Sequence, residues 1–116
     1  MGEINAFAKR VVDSWYVSPV AGEQNKILKA AAGELQFLRI TNTTNAARYA
    51  HVYDNATGAG GTPLCPPLVI AANGEQTLQQ RFRVAFANGC YIASSTSQTS
   101  VTGGGSNDLQ IQALYH

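Results

Sequence analysis

Charge is what this chain has least of. Only 13% of its 116 residues are Asp, Glu, Lys or Arg, about half the roughly one quarter usual in a globular domain. The 8 basic and 7 acidic residues leave a net charge of +1. A balance so close to zero removes the sequence-independent electrostatic drive that nucleic-acid or membrane-surface binding needs, so neither partner is expected. Histidine is scarce too. His51 and His116 stand far apart, without the local ligand spacing of a metal site. The carboxylates Glu3, Asp13, Glu23, Glu34, Asp54, Glu75 and Asp108 are scattered singly, with no Asp-x-Asp-x-Asp loop of the calcium type. Asp54, where a strand enters a glycine-rich loop, is expected to cap that turn through its own backbone. Gly58-Ala-Gly-Gly61 lacks the Lys-Ser/Thr of a phosphate loop. No catalytic group, cofactor or metal is expected from these residues, and the chain reads as a non-enzyme.

Targeting signals are missing as well. The first ten residues have no apolar h-region, and Ala6 stands where a myristoylation signal wants Ser or Thr. No apolar run approaches the ~20 residues of a membrane span. The Asn-x-Thr triplets at Asn42 and Asn55 are then read as coincidence in an Asn/Thr-rich chain. The two cysteines, Cys65 and Cys90, are expected as free thiols of a protein made in a reducing cytosol. A chain of this length fits one domain and buries a core without staples. Small and uncharged polar residues take the place of charge, and such a surface suits extended protein–protein contact.

What is present is strand. Glu34–Thr41 is the strongest run, with Leu35 and Phe37 on one face and Leu38 and Ile40 on the other, which marks a central strand. The polar break Asn42–Asn45 follows, and Ala46–Asp54 reads as the next strand. Ala50 and Val52 point one way there, Tyr49, His51 and Tyr53 the other. The two runs look like a strand–turn–strand pair, with Tyr49 and Tyr53 facing residues of the preceding strand. Asn55–Pro67 is a long loop punctuated by Gly58, Gly60, Gly61, Pro63, Pro66 and Pro67, and loops of that length are more often functional than idle. Short strands are expected at Leu68–Ala71, Gln76–Phe82 and Cys90–Ser94, with turn signals at Asn73-Gly74 and Asn88-Gly89. Ser94–Asp108 is nearly all Ser, Thr, Gly and Gln and reads as an exposed loop. Leu109–Tyr115 alternates again and is expected to close the sheet. Glu23–Ala32 has helix propensity, but the surrounding strands favour strand.

The pattern predicts an all-β, single-domain β-sandwich or barrel, jelly-roll-like, spanning residues 23–116 and preceded by an extended N-terminal arm, residues 1–22. The arm carries Phe7, Tyr16 and Trp15, the only Trp in the chain. Two readings of Trp15 stand: it packs on the edge of its own domain, or on a neighbouring subunit, where Trp is enriched. Arg81 and Arg83 share a strand face and are either ion-paired or in subunit contact. Phe7, Trp15, Tyr16, Arg81 and Arg83 are therefore the candidate partner-binding residues. The glycine-proline and Ser94–Asp108 loops are further contact candidates.

Several segments have a recognisable form: Thr41-Asn42-Thr43-Thr44; Ala47-Arg48-Tyr49-Ala50-His51-Val52-Tyr53-Asp54-Asn55-Ala56-Thr57; Gly61-Thr62-Pro63; Pro67-Leu68-Val69-Ile70; and Phe86-Ala87-Asn88-Gly89-Cys90-Tyr91-Ile92-Ala93. Over roughly residues 35 to 116 the chain resembles small β-rich virion proteins of tailed bacteriophages. The resemblance implies a capsid decoration (cement) protein that bridges subunits of the head shell. It implies the major capsid protein or other virion proteins as partners, symmetric self-association into a homo-oligomer, and a location in the virion after assembly in the host cytoplasm. A tail, baseplate or head-fibre component with the same fold is the alternative, and a carbohydrate-binding sandwich with a Tyr49, Tyr53 or Trp15 platform is a third. The shared motifs are turns and strand ends, and they transfer no active-site residue.

Overall fold

The computed structural model describes residues 13–19, 22–58, 60–78, 83–99, 101 and 108–116. They form ten strands: β1 (Ser14–Val17), β2 (Asn25–Lys29), β3 (Gly33–Asn42), β4 (Arg48–Asp54), β5 (Thr62–Pro63), β6 (Leu68–Ile70), β7 (Glu75–Leu78), β8 (Val84–Phe86), β9 (Cys90–Ser95) and β10 (Leu109–Tyr115). No helix occurs among the described residues, and within Glu23–Ala32 the strand is Asn25–Lys29. All pairings are antiparallel, in two sheets of five strands. Sheet A runs β1-β10-β3-β7, with β8 beside β7 along β3; sheet B runs β2-β9-β4-β5, with β6 beside β5 along β4. Each sheet is thus four positions wide, its last position filled by two short strands end to end.

Apart from those broken edges and the β4–β5 hairpin within sheet B, every connection along the chain crosses from one sheet to the other. This corrects the expected pairing of Glu34–Thr41 with Ala46–Asp54. β3 lies in sheet A between β10 and the β7/β8 edge, and β4 lies in sheet B between β9 and the β5/β6 edge. Tyr49 pairs with Ser95 and Val69, and Tyr53 with Tyr91 and Pro63. The turn between β3 and β4 is a corner. Its cause is Asn42, which is 1% exposed. The Asn42 side-chain amide donates to the carbonyls of Ala46 (2.8 Å), Ile70 (3.2 Å) and Ala71 (3.2 Å), and its Oδ1 accepts from the Thr44 amide and hydroxyl. A side chain so fully engaged satisfies backbone groups that no ladder reaches.

The core lies between the sheets. Leu35, Leu38, Ile40, Ile111 and Ala113 from sheet A meet Ala50, Val52, Ile70 and Ile92 from sheet B, all nearly inaccessible. Alternation holds in β10 and β4 as the pattern predicted. β3 departs from it: Leu35 and Leu38 both face inward, although their separation is odd. The register explains this, since Leu114 pairs with Phe37 and Tyr115 with Leu35, leaving Gln36 as an extra residue. That bulge resets the parity of the strand and puts Phe37 on the outer face. The open edge between β1 and β2 is closed by side chains. Tyr16 points inward, donates to the Glu23 carboxylate, and carries the Lys26 ammonium 4.5 Å above its ring.

A second corner joins β4 to the β8–β9 turn. Asp54 accepts from the backbone amides of Ala87 (3.0 Å), Asn88 (2.7 Å) and Gly89 (3.2 Å). It therefore caps a distant turn, and Asn55 does the local work expected of Asp54, accepting from Thr57 and Gly58. The chains pass so closely here that a Cβ on Gly89 would sit 2.7 Å from the Lys29 oxygen, 2.8 Å from Ala56 Cα and 2.9 Å from the Asn55 oxygen. Gly89→Ala is expected to cost about 1–3 kcal/mol in urea unfolding, as overpacking against fixed backbone does. Gly58→Ala, with nothing within 4 Å of the added carbon, should stay within about 0.5 kcal/mol.

Backbone donation from Ala87 and Asn88 first, and then Gly89, holds the Asp54 carboxyl below its usual range against a smaller opposing effect of desolvation. A depressed folded-state value means that the stabilisation is complete above the unfolded value of about 3.9 and is lost as pH falls through the folded one. Asp54→Asn should therefore be less stable than the parent near neutrality, and the gap between their urea midpoints should close in acid. A gap independent of pH would show that the charge of Asp54 does not hold this corner.

Candidate partner-binding surface

The segments singled out in the sequence for their recognisable form fall at corners and strand ends. Asn42 and Thr44 build the first corner, Asp54 and Gly89 the second. A third forms at the same end of the sandwich as Asn42. Arg48 Nε donates to Asp108 Oδ2 at 2.9 Å, with both side chains largely buried, and Thr43 donates its amide to the Asp108 carbonyl. Removing one partner of such a pair strands the other charge, so these groups hold the fold together.

The candidate binding residues divide. Phe7 and Arg81 lie outside the described residues. Ser14–Val17, placed by sequence in the arm, form β1 at the edge of sheet A, where Trp15 pairs with Leu114 and Tyr16 with Ala113. Trp15 points outward and is 64% exposed, with its ring edge-on to Phe37 at 5.5 Å. Tyr16 is turned inward, and burial first, then its hydrogen bond to Glu23, pushes its hydroxyl up to about 12. Its aromatic face is engaged within the chain. Arg83 is exposed and pairs with Glu34 at 3.2 Å, the ion-paired alternative for that residue.

Sequence reasoning missed Phe37 and Leu114. Phe37 sits in a run apolar on both faces, and Leu114 falls on the side of Gln110 and Gln112; only the bulge and the β10 register bring them beside Trp15 in one cross-strand row, Trp15–Leu114–Phe37. The neighbouring row is Val17–Gln112–Arg39–Thr77. Trp15, Val17 and Gln112 line a shallow trough of about 390 Å³.

The outer face of sheet B is different. His51, on the face of β4 opposite Ala50 and Val52, is 5% exposed. Its Nε2 donates to the Ser97 carbonyl at 2.9 Å, and its ring stacks on Tyr53 with centroids 6.2 Å apart. The Ser94–Asp108 segment is thus not wholly exposed: Ser94, Ser95 and Asp108 are buried, and the chain near Ser97 covers the middle of β4. Nor is the Asn55–Pro67 segment a free loop, because Thr62 and Pro63 form β5 and Leu64 donates to the Val52 carbonyl. Pro63 suits an edge strand, where a missing N–H costs nothing. A recess of about 120 Å³ remains between His51, Tyr53, Pro63, Cys65, Pro67 and Thr99. Among the described residues, no group of three or more His, Cys, Asp or Glu side chains is arranged to hold a metal ion.

Both cysteines are free, Cys90 buried and Cys65 half-buried. Burial raises the Cys65 thiol, and burial followed by the nearby Cys65 and Asp54 pushes Cys90 up to about 12. Alkylation follows the thiolate. With iodoacetamide near pH 8, Cys65 should react more slowly than a free thiol, and Cys90 only as fast as the protein unfolds. Intact-mass and peptide mass spectrometry read both rates.

No protein-family model matches the chain, and comparison with curated proteins and with solved structures gives no match.

Proposed function

We propose that this chain is a non-enzymatic structural protein of a tailed-bacteriophage virion, a capsid decoration protein that stabilises the head shell by bridging its subunits, and that its sandwich is a jelly roll. What supports the reading is the resemblance of the motifs, which fall at the polar corners of the sandwich, together with the exposed Trp15 and Val17 on the outer face of sheet A. The jelly-roll reading is supported by the ladder. With β5/β6 and β7/β8 each counted as one broken strand, the first strand pairs with the eighth, the second with the seventh, the third with the sixth and the fourth with the fifth. That is one long antiparallel hairpin rolled into two sheets, an architecture common in viral capsid and lectin domains.

A decoration protein acts through many modest contacts repeated by the symmetry of the shell, so that avidity replaces individual affinity. The low charge content suits such contacts. Its partners in this reading are the major capsid protein and further copies of itself. A tail, baseplate or head-fibre component shares the fold and differs in partner and copy number. The carbohydrate reading gains little support, because Trp15 lies on sheet A and Tyr49 and Tyr53 on sheet B, so they form no common platform.

Purified protein mixed with expanded capsids should co-sediment at many copies per shell and raise the temperature at which the shell disrupts. No co-sedimentation would sink the decoration reading, and a virion carrying only a few copies would favour the tail reading.

A further inference from the structure

We infer that the outer face of sheet A, centred on the row Trp15–Leu114–Phe37, is the surface on which two copies of this chain meet face to face about a two-fold axis. The inference rests on the self-association in the reading above and not on shell binding.

Five large apolar side chains stand exposed among the described residues: Trp15, Val17, Ile27, Val69 and Val101. Ile27 and Val69 lie on strands at opposite edges of sheet B, separated by β9 and β4. Trp15 and Val17 are adjacent on one face of β1, and Leu114 and Phe37 extend them across the sheet. Sheet B carries a row too, Ile27–Tyr91–Tyr53–Pro63, but Ile27 there is 38% exposed, against 64% for Trp15 and 61% for Val17. At the β1 end of the sheet A row stands that exposed Trp, a residue enriched among those that dominate interface energies.

Charge selects the occupant. Of the ionisable groups flanking the row, Glu34 is paired with Arg83 and Arg39 with Glu75, and Asp13 lies 3.2 Å from the His116 ring. A face with a surplus of one sign would favour a partner of the other sign and repel its own copy. This face offers no such surplus among the described residues, so a copy of itself meets no repulsion. The trough lined by Trp15, Val17 and Gln112 has an indole as its own wall. In a two-fold contact each Trp15 enters the trough of the other copy, and the same residues serve on both sides, as an isologous interface requires.

Area sets the strength. Four strand positions about 4.8 Å apart and about seven residues at roughly 3.3 Å each give a face on the order of 20 by 23 Å. Two such faces bury on the order of 900 Å², close to the lower limit of about 1,000 Å² for a specific interface. The expected dimer is therefore weak, in the micromolar range or above, and its population depends on concentration.

Trp15 is the only Trp and reports on the contact directly. Sedimentation velocity of the purified full chain should show a shift with concentration from 12.3 kDa toward twice that mass. Trp emission should move to the blue over the same range. Trp15→Lys, and Val17→Lys as a second variant whose Trp signal survives, should weaken association at least tenfold with the far-UV circular dichroism unchanged. Ile27→Lys, on sheet B, should leave association as it was. A monomer at all concentrations up to about 1 mM overturns the proposal. So does a blue, concentration-independent emission from a monomer, which would mean that the chain's own residues cover the face. An oligomer broken by Ile27→Lys and not by Trp15→Lys or Val17→Lys overturns it too. Capsid co-sedimentation is scored separately, so a dimer that ignores capsids refutes the shell reading alone, and a capsid-binding monomer refutes this one alone.

Discussion

A chain that crosses between two sheets at nearly every connection must satisfy, at each crossing, backbone groups that neither ladder can reach. The rest of this structure depends on how that is done. Asn42, Asp54 and the Arg48–Asp108 pair each bind backbone or side chains from segments far away in sequence. Asn42 joins the β3–β4 corner to the end of β6, Asp54 joins the end of β4 to the β8–β9 turn, and Arg48 joins β4 to the start of β10. The core supplies the larger free energy through burial, but burial has no direction. These polar corners decide which strand enters which sheet, since an alternative crossing would leave the same groups unpaired in the interior.

Local periodicity was legible, and sheet membership was not. Ala50/Val52 against Tyr49/His51/Tyr53, and Leu109/Ile111/Ala113 against their Gln and Leu neighbours, could be assigned to faces because a strand's side chains alternate whatever it pairs with. The partner of a strand is set by non-local contacts. Asn42–Asn45 looked like a hairpin turn because Asn and Thr favour turns in any setting, and the buried Asn42 side chain makes it a corner. The Gln36 bulge was invisible for a similar reason, because apolar residues on both faces of Glu34–Thr41 read equally well as a doubly buried strand. Trp15 stood out by rarity alone. Phe37 and Leu114 did not, since an exposed apolar residue in an alternating run looks the same as a buried one until its neighbours are known.

Thr41–Thr44, Asp54–Thr57 and Phe86–Ala93 contain corner residues, and a residue engaged at a corner sets how the chain folds rather than what it touches. Contacts with other molecules then fall to the outer faces and edges. Here the two faces are unlike. Sheet B is partly roofed by its own chain at Ser97, which buries His51, and sheet A presents Trp15, Val17, Phe37 and Leu114 with no described segment above them.

That asymmetry would allow two separable kinds of contact. In the proposed two-fold pair, contact through sheet A would leave the loop ends and the sheet B side facing outward on both copies. A second contact made by such a pair would form at the high effective concentration set by the first. A protein with so little charge has few ways to raise the affinity of a single contact electrostatically. Corners tied by buried hydrogen bonds work in the other direction, because a body that deforms little loses little conformational freedom on binding.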